Sequence, residues 1–536
     1  MTEPKEISGH LFIDFENVRQ FSAFDKFYAV HENQHLPIYS FPATQDGLEE
    51  AIQERSKFPI DRELLVSVLQ RQYASAGIDS QDDLIKALRH ENSYTITCAH
   101  QPNLFTGPAY FIYKLLSTIK LAEQCQKSFT DYKFIPVLYL GGEDHDLAEC
   151  NHIHLFGKRL EWSTNQTGAI GRMLCDDIAD VLKELSGILG DSQNAIELKN
   201  IITASYATGR TINEAILLFL HHILPEFSFL VFNPDDADIK RQFIPWMKRD
   251  ILGNESKALV EAGQKELHQS GINAQAYVRE INFFYLYEGK RERIVRQDEH
   301  FEVIGTDKSW DTQSLNDEIA QHPERFSPNV IMRPVLQEQI LPSIAFVGGG
   351  GEIAYWSDRR MLFAAYQTFF PVLVRRDSFI IVDGTTKKKM DKLQLAINDL
   401  LVNEEELKLR FIQSHTDESI NLNQERATIN ELTKTITDKA VSIDQTLKGF
   451  VGAEMNQFNK ILSQIEGRIL RTLKEKNETA LQQAVNIQSK LFPGNSLQER
   501  HENFMTWYIR MGNDFFHAIY TACDPMDIRM KVIQIQ

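Results

Sequence analysis

Residues 94–99 form a short β-rich run, YTITCA. It passes through a loop holding Pro102, Gly107 and Pro108 into a segment with apolar residues at helical spacing: Tyr110, Leu115, Ile119 and Ala122. This pattern predicts strand, loop and helix over residues 94–126. A second unit opens at residues 134–140, FIPVLYL, a continuous apolar run suited to a strand buried on both faces of a parallel sheet. Strands and helices alternating over short connections indicate an α/β layered fold.

Past residue 160 the alternation weakens. Helical spacing appears in INEAILLFLHHIL (212–224) and around residues 238–250, and a strand-like run, FSFLVFN, ends at Asn233. Residues 160–325 therefore read as a further core strand mixed with an inserted helical subdomain. Strand and loop character returns over 328–383, in NVIMRPVLQ, IAFVGGGGEIAYW, PVLVRR and SFIIVD, with one helix, MLFAAYQTFF. These runs are expected to close a Rossmann-like core spanning 1–385. From Lys387 to Leu491 no Pro occurs and helical spacing dominates. Met455, Phe458, Leu462, Ile465, Ile469 and Leu473 alternate steps of three and four, the seam of a coiled coil. Residues 387–413 are the expected antiparallel return for that arm. Pro493-Gly494 ends it, and 496–520 is expected to be one terminal helix docking back. The helical domain thus covers 386–536.

Composition narrows the class of protein. With 43% hydrophobic and 24% charged residues the chain can bury a large core, and 536 residues exceed what one core usually serves. The net charge of −17 and a pI near 5.5 argue against nucleic acid and anionic lipid as partners. The N-terminus lacks the basic and apolar regions of a secretory signal, and no apolar stretch approaches a membrane span. Five Cys without a CxxC pair suit reduced thiols, so a cytoplasmic location is expected.

Three segments carry candidate chemistry. His100, Gln101, Pro102 and Asn103, with Gly107, occupy the turn between a strand and a helix, where backbone amides bind phosphate or carboxylate. An ordinary Pro/Gly turn is the plainer reading. Gly141-Gly142-Glu143-Asp144-His145-Asp146 also follows a strand directly and offers a general base, an ammonium site or, with Glu149, Asn151, His152 and His154 behind it, a metal ligand set. Its spacing matches no closed zinc signature, so no metal is assigned; an acidic helix start would look the same. The run Gly348 to Gly351, followed by Glu352 and Tyr355, suggests close approach to a ligand or a flexible hairpin, and matches neither GxGxxG nor Walker A. Arg333, Arg375 and Arg376 could clamp a carboxylate or phosphate, or lie on the surface.

The blocks HQPNLFTGPAYFIYK (100–114), PVLYLGGEDHDLAECNHI (136–153) and MRPVLQEQILPSIAFVGGGGEIAYW (332–356) together resemble the bacillithiol-biosynthesis cysteine-adding family. NPDDADIK (233–240) and NFFYLYEGKRERI (282–294) fall in the family's order. The chain departs from the common pattern at Pro102-Asn103, where many members have Pro-Gly, and at Thr106-Gly107, where they have Gly-Gly. The resemblance implies a ligase joining the carboxyl of L-cysteine to the amine of glucosaminyl malate. It also implies a core like that of class I aminoacyl-tRNA synthetases, an adenine nucleotide such as ATP, and a homodimer through the coiled coil. On this reading His100, Gln101, Asn103 and Gly107 shape an anion or nucleotide site together with Gly348, Gly349, Glu352 and Tyr355. Asp144, His145 and Asp146, flanked by Glu143 and Asn151, recognise the amine or move a proton, and Arg333 and Arg376 hold carboxylates. Two rival functions stay open: a metal-dependent hydrolase built on the Glu143–Asp146 cluster, and a non-catalytic nucleotide-binding scaffold. The composite site requires the loops after 94–99 and 134–140 to lie side by side, in a cleft made locally positive by Arg333, Arg375 or Arg376.

Overall fold

The computed structural model describes residues 11–32, 34, 39–269, 271–273, 276–298, 300–415 and 422–535. Its central sheet has five parallel strands in the order Val372–Arg375, Ser343–Gly348, Ser93–His100, Lys133–Leu140 and Leu230–Phe232. All eight residues of Ser93–His100 are buried, as are seven of the eight in Lys133–Leu140. Continuous apolar runs become the middle strands because both their faces must be covered. The helix Tyr110–Ser128 covers one face, packing on both middle strands.

The sheet is assembled from three stretches, 93–140, 230–232 and 343–375, and what lies between the last two is not only helical. Phe283–Tyr287, Lys290–Gln297, His300–Val303, Ser309–Asp311 and Phe326–Pro328 form a separate antiparallel sheet. Its first hairpin turns through Glu288 and Gly289, both at positive φ (47° and 71°), with Tyr287 facing Lys290. Two residues at positive φ match the twist of the flanking strands, and Gly289 supplies one of them without steric cost. The period-two pattern of YEGKRER was hidden by its charges.

Two segments expected as strand and loop are helices. Arg333–Ile340 starts with Pro334 in its first turn, where a missing N–H costs nothing. Gly350–Ser357 begins inside the glycine run, with the Glu352 carboxylate accepting from the Gly349 N–H at 2.9 Å, as in a capping box. The glycines are therefore a strand-to-helix turn and not a hairpin. The expected terminal helix is also broken. Gly512, at φ 60°, separates Met505–Met511 from Asp514–Ala522, and the chain continues into the strand Arg529–Ile535 between Leu11–Asp14 and Ser378–Asp383.

Residues 1–381 with 496–533 form one compact unit, and 382–495 with 534–536 a second. In the second, Asn423–Ile443 packs along Leu447–Lys476, pinned by Arg426 to Glu466 at 2.6 Å. The antiparallel return is thus made by 423–443 and not by 387–413; Glu404–His415 packs instead on Glu478–Leu491. Among the described residues no helix is long and apolar enough to cross a membrane.

Candidate active site in the core unit

The two loops expected to adjoin do so. The Gly141 N–H donates to the His100 carbonyl at 2.7 Å, and Gln101 Nε2 donates to Asp144 Oδ2 at 2.7 Å and to Glu149 Oε2 at 2.9 Å. A Cβ at Gly142 would fall 2.2 Å from Asn213 Oδ1, so the turn needs glycine there. Beside these loops, at the C-terminal ends of the parallel strands, opens a cleft of about 690 Å³. Six cations (Lys114, Arg279, Arg291, Arg333, Arg376 and Arg500) and three carboxylates (Glu143, Asp144 and Glu352) line it. The cleft is therefore locally positive in a chain of net charge −17.

One wall is the glycine turn. Gly350 lies against Asp25, whose Oδ1 a Cβ would meet at 2.1 Å, while Gly349 and Gly351 face the cleft. Behind them Lys114, buried, pairs with Glu352 Oε2 at 2.5 Å and donates to the Ala99 carbonyl at 2.8 Å. Burial depresses the Lys114 pKa, partly offset by Glu352; burial alone would raise that of Glu352, but Lys114 and the Gly349 N–H bring it below its usual value. His100 donates from Nδ1 to the Gln101 carbonyl at 3.2 Å, which leaves Nε2 a bare acceptor, and that atom is buried without a partner among the described residues. Burial and the nearby Lys114 charge push its pKa down to about 3, so the ring is neutral. Arg376 is spent in part: Nη2 pairs with Glu499 at 2.7 Å and Nη1 donates to the Asp377 carbonyl at 2.7 Å, while Nε is buried and unpartnered. Arg375 does not enter the cleft; it is buried against Asp25 at 2.8 Å.

The opposite wall comes from the insertion. Glu143 pairs with buried Lys240, which also holds Asp235 at 2.8 Å, and Arg172 grips Asp235 with two contacts of 2.6 Å. Arg291 donates to Ser327 Oγ at 2.9 Å, the Pro328 carbonyl at 2.8 Å and His145 Nδ1 at 2.8 Å, and lies 4.0 Å over the Phe284 ring. Arg333 donates to Tyr355 Oη at 2.7 Å and Gln337 Oε1 at 3.0 Å. Asp144 keeps a carboxylate pKa below the usual value: burial would raise it, but Gln101, Arg291 and two backbone N–H groups outweigh that.

Of the residues singled out in the sequence, His100, Gln101, Glu143, Asp144, Arg333, Gly349, Glu352, Tyr355 and Arg376 line the cleft. Asn103, Gly107, Asp146, His145, Asn151 and Gly348 do not. Gly107, at φ 64°, sits on Asn103, and Asn503 holds the carbonyls of Phe105 (3.0 Å) and Gly107 (2.5 Å), so these residues shape the loop from behind. Asn151 braces its own hairpin through the Trp162 carbonyl at 3.1 Å. Lys114, Arg279, Arg291 and Arg500 escaped notice. A lone Lys in the apolar run YFIYKLL was the available signal for the first. Among the described residues, no group of three or more His, Cys, Asp or Glu is arranged to hold a metal ion.

The family described as bacillithiol biosynthesis BshC matches the chain twice, through its N-terminal Rossmann-like domain over residues 13–377 and its C-terminal coiled-coil domain over 379–535. The chain belongs to the BshC family. It is similar to the "Putative cysteine ligase BshC" of Cytophaga hutchinsonii, 33% identical over 97% of this chain and 98% of that one. Relatives of the same name from Flavobacterium johnsoniae (32% identical, 98% of this chain and 99% of that one) and Bacillus cereus (25%, 93% and 95%) match over similar spans. Among solved structures it is similar to a "putative arginyl T-RNA synthetase" of Campylobacter jejuni, 8% identical, covering 88% of this chain and 97% of that one, but the TM-score of 0.23 is too low to bear on fold or function. The BshC core is here a parallel Rossmann-like sheet whose cleft unites all three segments singled out for chemistry.

Proposed function

We propose that this BshC-family chain is a cytoplasmic cysteine ligase that joins the carboxyl of L-cysteine to the amine of glucosaminyl malate. The observation that carries the reading is the Gln101–Asp144 contact, which brings two strand-end loops to one cleft. Asp144, held ionised at that junction, suits the amine of the acceptor. Arg333, whose guanidinium meets only neutral acceptors, suits a carboxylate. The unpartnered buried Arg376 Nε, beside the exposed Gly351 of the glycine turn, fits an anionic oxygen group such as a nucleotide phosphate, while the lone pair on His100 Nε2 suits a donor such as a hydroxyl. A free carboxyl does not form an amide unaided, and ATP would supply the activation.

Within this reading Glu352 and Lys114 hold the glycine turn, Gln101 orients Asp144, and Lys240 holds Glu143 in place. His145 and Asp146 fix the shape of the amine loop and do not meet substrate. The exposed stripe of Phe458, Ile461, Ile465 and Ile469 on the long helix suits a second copy of the chain. The deciding experiment is incubation with L-cysteine, glucosaminyl malate and ATP, followed by mass spectrometry of thiol product and nucleotide. An amide product with AMP supports adenylation and with ADP an acyl phosphate; neither product under any condition refutes the ligase.

A further inference from the structure

Arg291 is 7% exposed and lies on the cleft, yet among the described residues no carboxylate stands within ion-pairing distance of it. Its three contacts are to neutral acceptors: Ser327 Oγ, the Pro328 carbonyl and His145 Nδ1. A guanidinium has five N–H donors, so two remain. Glu143, Asp144 and Asp235 support its charge from beyond ion-pairing distance, and a bound anion would take up the two remaining donors directly. Phe284 stacks on one face at 4.0 Å and fixes the plane of the fork.

Among the described residues three more cleft cations, Arg279, Arg333 and Arg500, have no acidic partner within ion-pairing distance, and the first two come from adjoining segments. The backbones of Arg279 and Arg333 are tied together through Asn282 and Asn329. Asn282 Nδ2 donates to the Arg279 carbonyl at 3.0 Å, and Asn282 Oδ1 accepts from Asn329 Nδ2 at 3.0 Å. The Asn329 carbonyl in turn accepts from the Arg333 N–H at 2.9 Å. The three guanidiniums thus come from one braced wall.

We propose that Arg291, with Arg279 and Arg333, forms a seat for a small dicarboxylate, and that Arg291 decides acceptor specificity by requiring the malate moiety. This rests on the ligase reading above and places the two malate carboxylates on the insertion wall, away from Arg376, which Glu499 already occupies. The glycine wall is then left to cysteine and nucleotide.

The test compares glucosaminyl malate with methyl glucosaminide, which lacks carboxylates, as acceptors for the wild type, Arg291→Gln and Arg279→Gln. Losing a charge-assisted contact raises KM for the malate-bearing acceptor about 10- to 100-fold. KM for cysteine and for methyl glucosaminide stays within about twofold. Arg279 is exposed, so its variant keeps the test valid if the buried Arg291 variant misfolds. In parallel, L-malate alone should raise the melting temperature of the wild type, and of neither variant, while L-lactate does not. Unchanged acceptor preference in both variants, or malate protection surviving in both, overturns the seat. Arginine-dependent malate protection in a protein that makes no amide from either acceptor upholds the seat and discards the ligase.

Discussion

Nη1 of Arg291 lies 2.8 Å from Nδ1 of His145, and because a guanidinium only donates, that imidazole nitrogen must carry a lone pair. The proton is then on Nε2 and the ring is neutral. Burial and the Arg291 charge both depress the His145 pKa, against the opposing pull of Asp144 and Asp146. In this arrangement His145 presents its Nε2–H as a donor. His145→Gln, whose amide nitrogen replaces Nε2–H, should retain ligase activity within about tenfold, while His145→Ala loses more. Its pH–rate profile should superimpose on that of the wild type. A limb near pH ~6.5 present in the wild type and lost in His145→Gln would contradict the assignment.

Acid sensitivity follows from a second histidine. His221 is buried with Nε2 2.9 Å from Tyr73 Oη, and burial, followed by the neighbouring His222, pushes its pKa down to about 3. The unfolded ring titrates near ~6.5. Below that pH the unfolded chain binds a proton that the folded chain refuses, so stability falls as pH drops from ~6.5 toward about 3. The slope is about 1.4 kcal/mol per pH unit for one such ring. His100, whose pKa is also depressed to about 3, adds a second ring of the same sign. Denaturant melts of the core between pH 7 and 4.5 should show it, and His221→Gln should reduce the proton uptake on unfolding by about one.

How far the sequence foretold this site depended on where each side chain stood. His100, Asp144 and Gly349 follow apolar strand runs directly, and strand ends in a parallel sheet are where ligands meet the chain. Arg291 sits in an alternating strand whose charges resemble a solvated surface, and only the fold turns it inward. Lys240 owes its place to Glu143, 97 residues earlier in the chain, which no local pattern encodes. The Arg333 helix was missed because RPVLQEQI is short and its Pro reads as a break, although Pro334 in a first turn is favourable.

The glycine run gives a matched pair. At Gly350 a Cβ would fall 2.1 Å from Asp25 Oδ1, the oxygen that receives Arg375 Nε at 2.8 Å, and both partners are buried. At Gly351 a Cβ meets nothing within 4 Å. Gly350→Ala should therefore lose about 3 kcal/mol by displacing a buried ion pair. Gly351→Ala, at an open helical position, should be neutral or gain up to about 1 kcal/mol. Urea midpoints compare the two, and equal losses would mean that the turn tolerates neither for a reason other than Asp25.

Assembly is the last test, and it turns on which apolar side chains the arm leaves uncovered. In Leu447–Lys476, which packs along Asn423–Ile443, Leu462 is 9% exposed and so belongs to the packed side of the helix. Phe458, Ile461, Ile465 and Ile469 stay 51%, 48%, 45% and 37% exposed, and they recur at steps of three and four. That spacing keeps them on one face of the helix, and such a stripe in water favours burial against a partner. A second copy presents the same stripe across a two-fold axis, giving a seam whose two sides match by symmetry. Ile465→Glu with Ile469→Glu places like charges opposite each other in that seam while leaving the hairpin core untouched. Light scattering should give twice the 61.7 kDa chain mass for the wild type and the chain mass for the double variant, with the helical circular dichroism of both alike. A wild type that stays at the chain mass at micromolar concentration refutes the dimer. A double variant that stays dimeric instead moves the interface off this stripe.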